Sequence, residues 1–259
     1  MALLTDASIL GLDELALYET NVTTVTSTHG IDIDAKISIS IASIGDLLLL
    51  RLLKAGLSDP QHMYRRQLGV STVVVTPPLE RWLCLDALAN IFAEAYNVQL
   101  NDRFKGKWTQ YLQQADVAQQ LVWQYGVGIV NQALPQALPA LASIQSGPLA
   151  NQELLVQVAW TDANGNEGSL SPVLGVELPD GSSIAVSTAE GSDGAPAAAA
   201  GWNVYLGQIG LDVTRQNNAP IPVGSTWFLP DFGIIQGPVP VGGQSPDYYV
   251  IDPRRTPRG

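Results

Sequence analysis

The residue types that most often carry catalysis are scarce in this chain. Histidine occurs only at His29 and His62, and the one cysteine is Cys84. His29 precedes a glycine, as in a turn, and His62 lies in a polar segment. Cys84 stands among apolar residues, which is typical of a buried and inert thiol. A catalytic triad that uses one of the histidines stays open, but the sequence offers little material for histidine-based catalysis.

Motifs for metal, nucleotide or nucleophile chemistry are also missing from the sequence. It contains no His-Glu-x-x-His, Cys-x-x-Cys or Gly-x-Ser-x-Gly motif and no Gly-x-x-x-x-Gly-Lys phosphate loop. Asp162, Asn164 and Asn166 have the spacing of the first three ligands of an EF-hand loop. Glu167 stands where that loop needs glycine, and Val173 where it needs a carboxylate. We therefore predict a hairpin turn here, and we expect no metal and no cofactor.

Charge is sparse and unevenly distributed. Charged residues make up 14% of the chain and the net charge is −11, against about 25% charged residues in an ordinary soluble domain. Residues 140–250 contain ten acidic residues and a single basic one, Arg215. Nucleic-acid binding needs a basic stripe, and the sequence has none. The acidic balance suits solubility, indifference to DNA or a conduit through which DNA slides. The low charged fraction suggests that a partner covers part of the surface.

The first half of the chain has helical periodicity. A Thr76-Pro77-Pro78 start precedes the clearest amphipathic pattern, which runs from Leu79 to Tyr96. The threonine-rich run 22–28 is β-branched and is predicted to be frayed or extended. The apolar run 47–53 is too short for a membrane span, which needs about 20 residues. The predicted helices cover residues 5–18, with Thr5 or Asp6 as the cap, and 35–55, 79–96 and 102–127.

From residue 140 the pattern becomes that of short strands with glycine and proline turns, which is typical of an antiparallel sandwich. The last residues, 238–259, are rich in proline and glycine but carry the apolar run Tyr248 to Ile251. A frayed tail and a tail that docks on another surface are both open, because exposed apolar side chains are costly in water. The predicted strands cover residues 153–160, a second run to about 178, 183–188, 201–207 and 225–229.

Two segments of the second half carry recognisable motifs. The run Leu154 to Pro172 contains an Asp-x-x-Gly-x-Glu turn and ends in Ser-Pro, and the run Gly201 to Gly207 has the sequence Gly-Trp-Asn-Val-Tyr-Leu-Gly. The first run resembles a hairpin of fibronectin type III-like domains. The second is similar to that family's Gly-Tyr-x-Val-Tyr-x-Gly strand, with Trp202 in place of the tyrosine. The resemblance implies a fibronectin III or Ig-like β-sandwich and says nothing about function.

The first half combines one short predicted helix with two long ones. The short helix at 12–19 has a Leu-x-x-Leu-Tyr-Glu-like pattern, and the long helices lie at 79–96 and 102–127. The segment Gln99 to Lys105 and a Lys-Trp-x-x-Tyr run at 107–111 belong to the same pattern. In these features the first half resembles the head–tail adaptor (connector) proteins of tailed bacteriophages. Simpler adaptors lack a sandwich of this size, which leaves a tail or baseplate role open.

The resemblance implies a ring beneath the portal that matches its twelve-fold symmetry, and therefore a homo-dodecamer. Portal and tail proteins would be the partners, and genomic DNA would pass without specific binding. No membrane is implied, and the protein would be made in the host cytoplasm and located at the neck of the virion. An extended C-terminal tail, Asp247 to Gly259, would insert into the portal. Its apolar anchors would be Tyr248, Tyr249 and Val250, and the residues that pair with portal carboxylates would be Arg254, Arg255 and Arg258.

We therefore expect an α+β multidomain protein that is not an enzyme. The expected parts are an N-terminal α-helical bundle at 1–139, a small antiparallel β-sandwich at 140–237 and an extended docking tail at 238–259. One alternative is a ligand- or glycan-binding module of the virion tail or baseplate, or of a cell surface, with the helices as its anchor. Another is a hydrolase that depends on a pair of carboxylates.

Overall fold

The computed structural model describes residues 1–7, 9–58, 69–99 and 102–251. These residues form helices and antiparallel sheets, so the chain is of the α+β class. They divide into a sheet unit, Met1–Ala7 with Gln132–Ser245, and a helical unit, Ser8–Asn131 with Pro246–Gly259. These bounds differ from the expected 1–139, 140–237 and 238–259, because residues 1–7 cluster with the sheet unit and residues 246–251 with the helical unit.

The helical unit is organised around one central helix. The helices are α1 (Leu12–Tyr18), α2 (Val22–His29), α3 (Ile33–Ser58), α4 (Pro77–Gln99) and α5 (Asp102–Tyr125), with a 3₁₀ turn at Val70–Thr72. Helix α4 packs most extensively on α5 and also contacts α1, α2 and α3. The predictions of helices at 35–55, 79–96 and 102–127 are confirmed, with small differences at the ends.

Helix α4 is not the amphipathic helix that the sequence pattern predicted. Its buried side chains point in all directions around the helix axis, because it is covered by several neighbours. Small side chains at Ala87, Ala89 and Ala95 are buried between the large ones, which allows neighbouring elements to approach closely. The large buried side chains of the helix are Leu79, Trp82, Leu83, Leu85, Leu88, Ile91 and Phe92. The 3.6-residue period identified the helix correctly but gave the wrong number of buried faces.

The two short N-terminal helices also differ from expectation. Helix α1 begins at Leu12, not near Thr5 or Asp6, and the carboxylate of Glu14 accepts a hydrogen bond from the N–H of Gly11 at 2.8 Å. The threonine-rich run is helical, which contradicts the predicted frayed or extended segment. Two of its valines are buried and the hydroxyl of Thr26 donates to the carbonyl of Val22 at 3.0 Å. Tertiary packing thus outweighs the low helix propensity of β-branched residues.

The described residues contain ten strands, most of which belong to the sheet unit. The strands are β1 (Val127–Ile129), β2 (Leu141–Leu149), β3 (Gln152–Thr161), β4 (Leu174–Leu178), β5 (Ser182–Ser187), β6 (Gly201–Gln208), β7 (Thr214–Arg215), β8 (Ile221–Pro222), β9 (Trp227–Phe228) and β10 (Tyr248–Val250). The sheet unit has two antiparallel sheets, one of the order β2-β5-β9 and the other of the order β4-β3-β6-β7 with β8 also paired to β6. The pair β1 and β10 belongs to the helical unit.

Both sheets contribute to a single hydrophobic core. Trp160 of β3 and Trp202 of β6 lie directly opposite each other in the ladder, and both are buried. Ile184 and Val186 of β5 supply side chains of the other sheet to the same core. The seven N-terminal residues join this unit through Asp6, whose carboxylate accepts hydrogen bonds from Leu3, Gln136 and Ser169.

Candidate functional site

The predicted docking tail forms a strand on the helical unit. In β10, Tyr248 pairs with Ile129, Tyr249 with Gly128 and Val250 with Val127 of β1, in antiparallel register. On the other side of β1, Val73 bridges Ile129, and the N–H of Val74 donates to the carbonyl of Gly128 at 2.9 Å. Strand β1 is therefore flanked on both sides. Arg254, Arg255 and Arg258 lie outside the described residues.

Asp247 fixes the point where the tail meets β1. Its N–H donates to the carbonyl of Ile129 at 2.9 Å. Its carboxylate Oδ2 accepts a hydrogen bond from the N–H of Asn131 at 2.6 Å. Such charge-assisted hydrogen bonds are stronger than neutral ones. Main chain and side chain of a single residue thus set the register of β10.

Two glycines make room for the tail. Gly126 has φ +97°, which favours glycine, and a Cβ there would lie 3.0 Å from side-chain atoms of both Tyr249 and Ile251. A Cβ at Gly128 would lie 2.8 Å from Cγ of Pro246. The Gly-Val-Gly sequence therefore ends α5 and lets the tail approach the backbone of β1. This is a packing role that the sequence alone did not indicate.

Successive side chains of β10 lie on opposite faces of the strand, so the three predicted apolar anchors do not share one face. Side chains of directly paired residues share a face of the ladder. Tyr248 and Val250 therefore lie on the face of Ile129 and Val127, which are buried, and both are themselves half-buried. Tyr249 lies on the opposite face and is 50% exposed. Next to β10, Ile251 is 56% exposed, and this residue was not among the predicted anchors.

A buried carboxylate joins α1 to α5 in the helical unit. Glu19 accepts hydrogen bonds from Nζ of Lys107 at 2.6 Å and from the hydroxyl of Tyr111 at 2.8 Å. Burial alone raises the pKa of Glu19, but these hydrogen bonds and the lysine charge outweigh it, so that the pKa lies below its ordinary value. Burial and the neighbouring Glu19 both raise the pKa of Tyr111. The four-residue spacing of Lys107 and Tyr111 on one helix face was the available sequence signal.

A shallow groove lies between α3 and α4. It measures about 400 Å³ and is lined by Lys36, Ile39, Asn90, Ala93, Glu94 and Asn97. Lys36 and Glu94 form a salt bridge with each other. Beside the groove, the amide of Asn90 donates to Ser40 at 2.9 Å and to Asp86 at 3.2 Å. Burial raises the pKa of Asp86, while the hydrogen bonds oppose this shift. Lys36 and Glu94 thus satisfy each other, and the Asn90 amide is satisfied by Ser40 and Asp86.

The sheet unit contains a second buried carboxylate. Glu167 accepts hydrogen bonds from the Tyr205 hydroxyl, which is 2.7 Å from both carboxylate oxygens, and from Nδ2 of Asn203 at 2.8 Å. The side chain of Asn217 extends the network, because its Nδ2 donates to Oδ1 of Asn203 at 2.7 Å. Burial and the carboxylate of Glu167 raise the pKa of Tyr205. The cluster ties the turn after β3 to β6.

The Asp162 turn uses its carboxylate internally. Oδ1 of Asp162 accepts from the N–H groups of Asn164 and Asn166, both at 2.8 Å, and Oδ2 accepts from the Asn166 amide. Burial raises the pKa of Asp162, but these hydrogen bonds outweigh it and lower the pKa. Thr161 and Glu167 are bridged across the turn, as expected for a hairpin.

His29 packs against another side chain and Cys84 is buried. The ring of His29 packs edge-on against Phe104, with 5.2 Å between ring centroids, and His62 lies outside the described residues. Burial raises the pKa of the Cys84 thiol to about 12, which disfavours the reactive thiolate. Within the ranges that the structure covers, no group of His, Cys, Asp and Glu side chains is placed to hold a metal ion. None of the helices in those ranges has the length and apolar character of a membrane span.

Comparison with known proteins gave no match to a protein-family model, to a curated protein or to a solved structure.

Proposed function

We propose that this chain is a non-catalytic virion protein, a head-to-tail adaptor of a tailed bacteriophage. It forms a homo-dodecameric ring under the portal and a conduit for DNA to the tail. The observation that carries the proposal is the tail, whose backbone is anchored on β1 by Asp247 while Tyr249 and Ile251 remain half-exposed. Three arginines follow within residues 252–259. An apolar pair beside concentrated positive charge suits a partner surface with an apolar pocket and an acidic rim.

The charge distribution supports a conduit. The chain has 24 acidic and 13 basic residues, and three of the basic ones lie in the last eight residues. A negative lumen would let DNA pass without binding it. The adaptor would be made in the host cytoplasm and function at the neck of the virion, between the portal and the tail proteins.

The sheet unit fits a fibronectin III or Ig-like sandwich, and we include that finer assignment in the proposal. Two antiparallel sheets contribute to one core, and the buried tryptophans of β3 and β6 face each other across the ladder. In the adaptor this unit would project outward as a decoration, exposed to solvent or to another virion component.

The portal interaction is tested with the full chain and the portal protein of the same phage. Tyr249→Ala with Ile251→Ala removes exposed apolar side chains and keeps the backbone of β10. Truncation after Ile251 removes residues 252–259, which contain the three arginines and one acidic residue, Asp252. We expect each change to weaken portal binding by about tenfold or more, as for hot-spot residues. The matched control is Phe232→Ala with Val241→Ala, two residues of the sheet unit that are 75% and 77% exposed. Portal binding unchanged by both tail variants would overturn the proposal.

A ligand- or glycan-binding tail or baseplate module is the second candidate, and exposed aromatic side chains favour it. Phe228 and Phe232 of the sheet unit are 56% and 75% exposed, and aromatic faces stack on sugar rings. A glycan array with the full chain tests this function. Binding that disappears in Phe228→Ala and Phe232→Ala would support it, whereas an array without any signal would count against it.

A further inference from the structure

The turn that follows β3 presents an asparagine and a glycine to solvent. Asn164-Gly165 is the one place in the sequence where glycine directly follows asparagine. Both residues are exposed, and Gly165 has a φ of +83°, which glycine adopts without steric cost. A Cβ at Gly165 would meet no atom within 4 Å, so this residue lies in open space. The side-chain amide of Asn164 and the main-chain nitrogen after it are therefore accessible.

An asparagine in this setting can lose its side-chain amide without an enzyme. The main-chain nitrogen of Gly165 attacks Cγ of Asn164, and the amide nitrogen leaves as ammonia together with the proton of the glycine N–H. The product is a five-membered succinimide ring. Solvent water opens the ring at Cγ, which gives aspartate, or at the main-chain carbonyl carbon of residue 164, which gives iso-aspartate. A side chain on the following residue hinders the attack, whereas glycine does not.

Asn166 in the same turn has different surroundings. Its Nδ2 donates to Oδ2 of Asp162 and its main-chain N–H donates to Oδ1, both at 2.8 Å. The residue that follows it, Glu167, is buried and forms a bridge with Thr161 across the turn. The Asn166 amide is thus held in place beside a buried neighbour, which makes ring closure unfavourable there.

One hydrogen bond opposes the attack on Asn164. The N–H of Gly165 donates to the main-chain carbonyl of Asp162 at 3.2 Å, and this bond must open before the nitrogen can react. An ordinary hydrogen bond corresponds to a factor of about fivefold in an equilibrium. The folded turn should therefore slow the reaction by about fivefold relative to the unfolded chain, which leaves Asn164 reactive.

We propose that Asn164 is a site of spontaneous deamidation in the folded protein and that its iso-aspartate product loosens the turn. Iso-aspartate adds one carbon to the main chain, so the hydrogen bonds from Gly165 and Asn166 to Asp162 cannot all keep their geometry. Each product also places a carboxylate close to that of Asp162, in a stretch of the chain, 140–250, that has a single basic residue. Deamidation of Asn164 is independent of the proposed adaptor function.

Peptide mapping of the full chain, aged at pH 8 in water enriched in the heavy oxygen isotope, measures the reaction. Ring opening incorporates one solvent oxygen, and methylation by an iso-aspartyl methyltransferase identifies the iso-aspartate. Asn151 and Asn166 are the internal controls, because glutamine and glutamate follow them. We expect Asn164 to convert about tenfold faster than either control. Conversion of Asn164 no faster than that of the controls would overturn the proposed site.

Amide hydrogen exchange in residues 160–168, compared between fresh and aged protein, measures the loosening. The matched variant is Asn164→Gln, which keeps a side-chain amide but would have to close a six-membered ring. We expect exchange about fivefold faster after ageing of the unchanged chain, and no change after ageing of the variant. Unchanged exchange in protein whose Asn164 has converted would refute the loosening. Equally faster exchange in aged Asn164→Gln would show that the change does not arise at this residue.

Discussion

Replacing Tyr111 by phenylalanine removes one of the two side-chain donors to the buried carboxylate of Glu19. The hydroxyl hydrogen bond of 2.8 Å is lost, while the aromatic ring can keep its stacking on Phe92, with 5.5 Å between centroids. Lys107 remains as a donor, but its side chain is 43% exposed and the carboxylate is only 7% exposed. A hydrogen bond to a charged group contributes about 1.5–3 kcal/mol. We expect Tyr111→Phe to lower the free energy of unfolding of the helical unit by that amount at pH 7.

The cost of the substitution should depend on pH. The folded-state pKa of Glu19 is lowered from its ordinary value, so the stabilisation by its ionised form is present above the unfolded-state pKa of about 4.3. It is lost as the pH falls through the lowered pKa of the folded state. The difference between the unchanged chain and Tyr111→Phe should therefore shrink in acid, towards the value of about 1 kcal/mol for a neutral hydrogen bond.

Urea unfolding monitored by circular dichroism at 222 nm measures these free energies for the helical unit, because the helices of the described residues all belong to it. Tyr125→Phe removes a hydroxyl from a side chain that is 66% exposed, and it should change stability by less than about 0.5 kcal/mol. A double-mutant cycle with Glu19→Gln isolates the pair. A coupling energy near zero, or a cost of Tyr111→Phe that grows in acid, would refute the reasoning.

Three further predictions concern other parts of the molecule. Tyr205→Phe should destabilise the sheet unit by about 1.5–3 kcal/mol in tryptophan-fluorescence unfolding, because it removes a donor to a buried carboxylate; an unchanged midpoint would contradict this. Because burial raises the pKa of Cys84 to about 12, a disulfide reagent at pH 8 should label it only after denaturation, and prompt labelling of the native protein would be inconsistent with it. Gly128→Ala should speed amide exchange in β10, because its Cβ would lie 2.8 Å from Pro246, whereas Gly106→Ala, with open space around it, should not.

The long elements were predictable from local patterns. The pattern at 79–96 predicted α4, which spans Pro77–Gln99, because a proline start and an apolar period are both local signals. The strand predicted at 201–207 corresponds to β6, which spans Gly201–Gln208. In both cases the residue pattern of the segment itself specifies the conformation, and distant contacts only decide how many faces are buried.

The long-range pairings were not predictable. Asp6 was expected to cap a helix, yet its carboxylate accepts from Gln136 and Ser169, which are 130 and 163 residues away in sequence. Strand β2 was missed because most of its side chains are exposed and it contains Gly147 and Pro148. No local pattern encodes which distant segment offers a donor or an edge to pair with.

The composition of the tail predicts that it docks, but not where it docks. Two adjacent tyrosines followed by valine and isoleucine made docking a reasonable expectation. The surface that receives β10 in the structure is β1 of the same chain. Which side chains remain available to a partner depends on the register with Gly128, and that register is set by Asp247 and by two glycines more than a hundred residues earlier. The portal as the partner of Tyr249 and Ile251 stays a prediction.

The scarcity of cations has a counterpart in how the buried carboxylates are satisfied. Both buried glutamates that anchor the units accept a hydrogen bond from a tyrosine hydroxyl, Glu19 from Tyr111 and Glu167 from Tyr205. Glu19 also pairs with Lys107, whereas the donors to Glu167 are neutral, the Tyr205 hydroxyl and the Asn203 amide. In a chain with 13 basic residues for 24 acidic ones, the phenol hydroxyl is thus a donor to a buried carboxylate in both units, because it brings a hydrogen bond without a second charge. Removal of either hydroxyl should therefore destabilise its own unit.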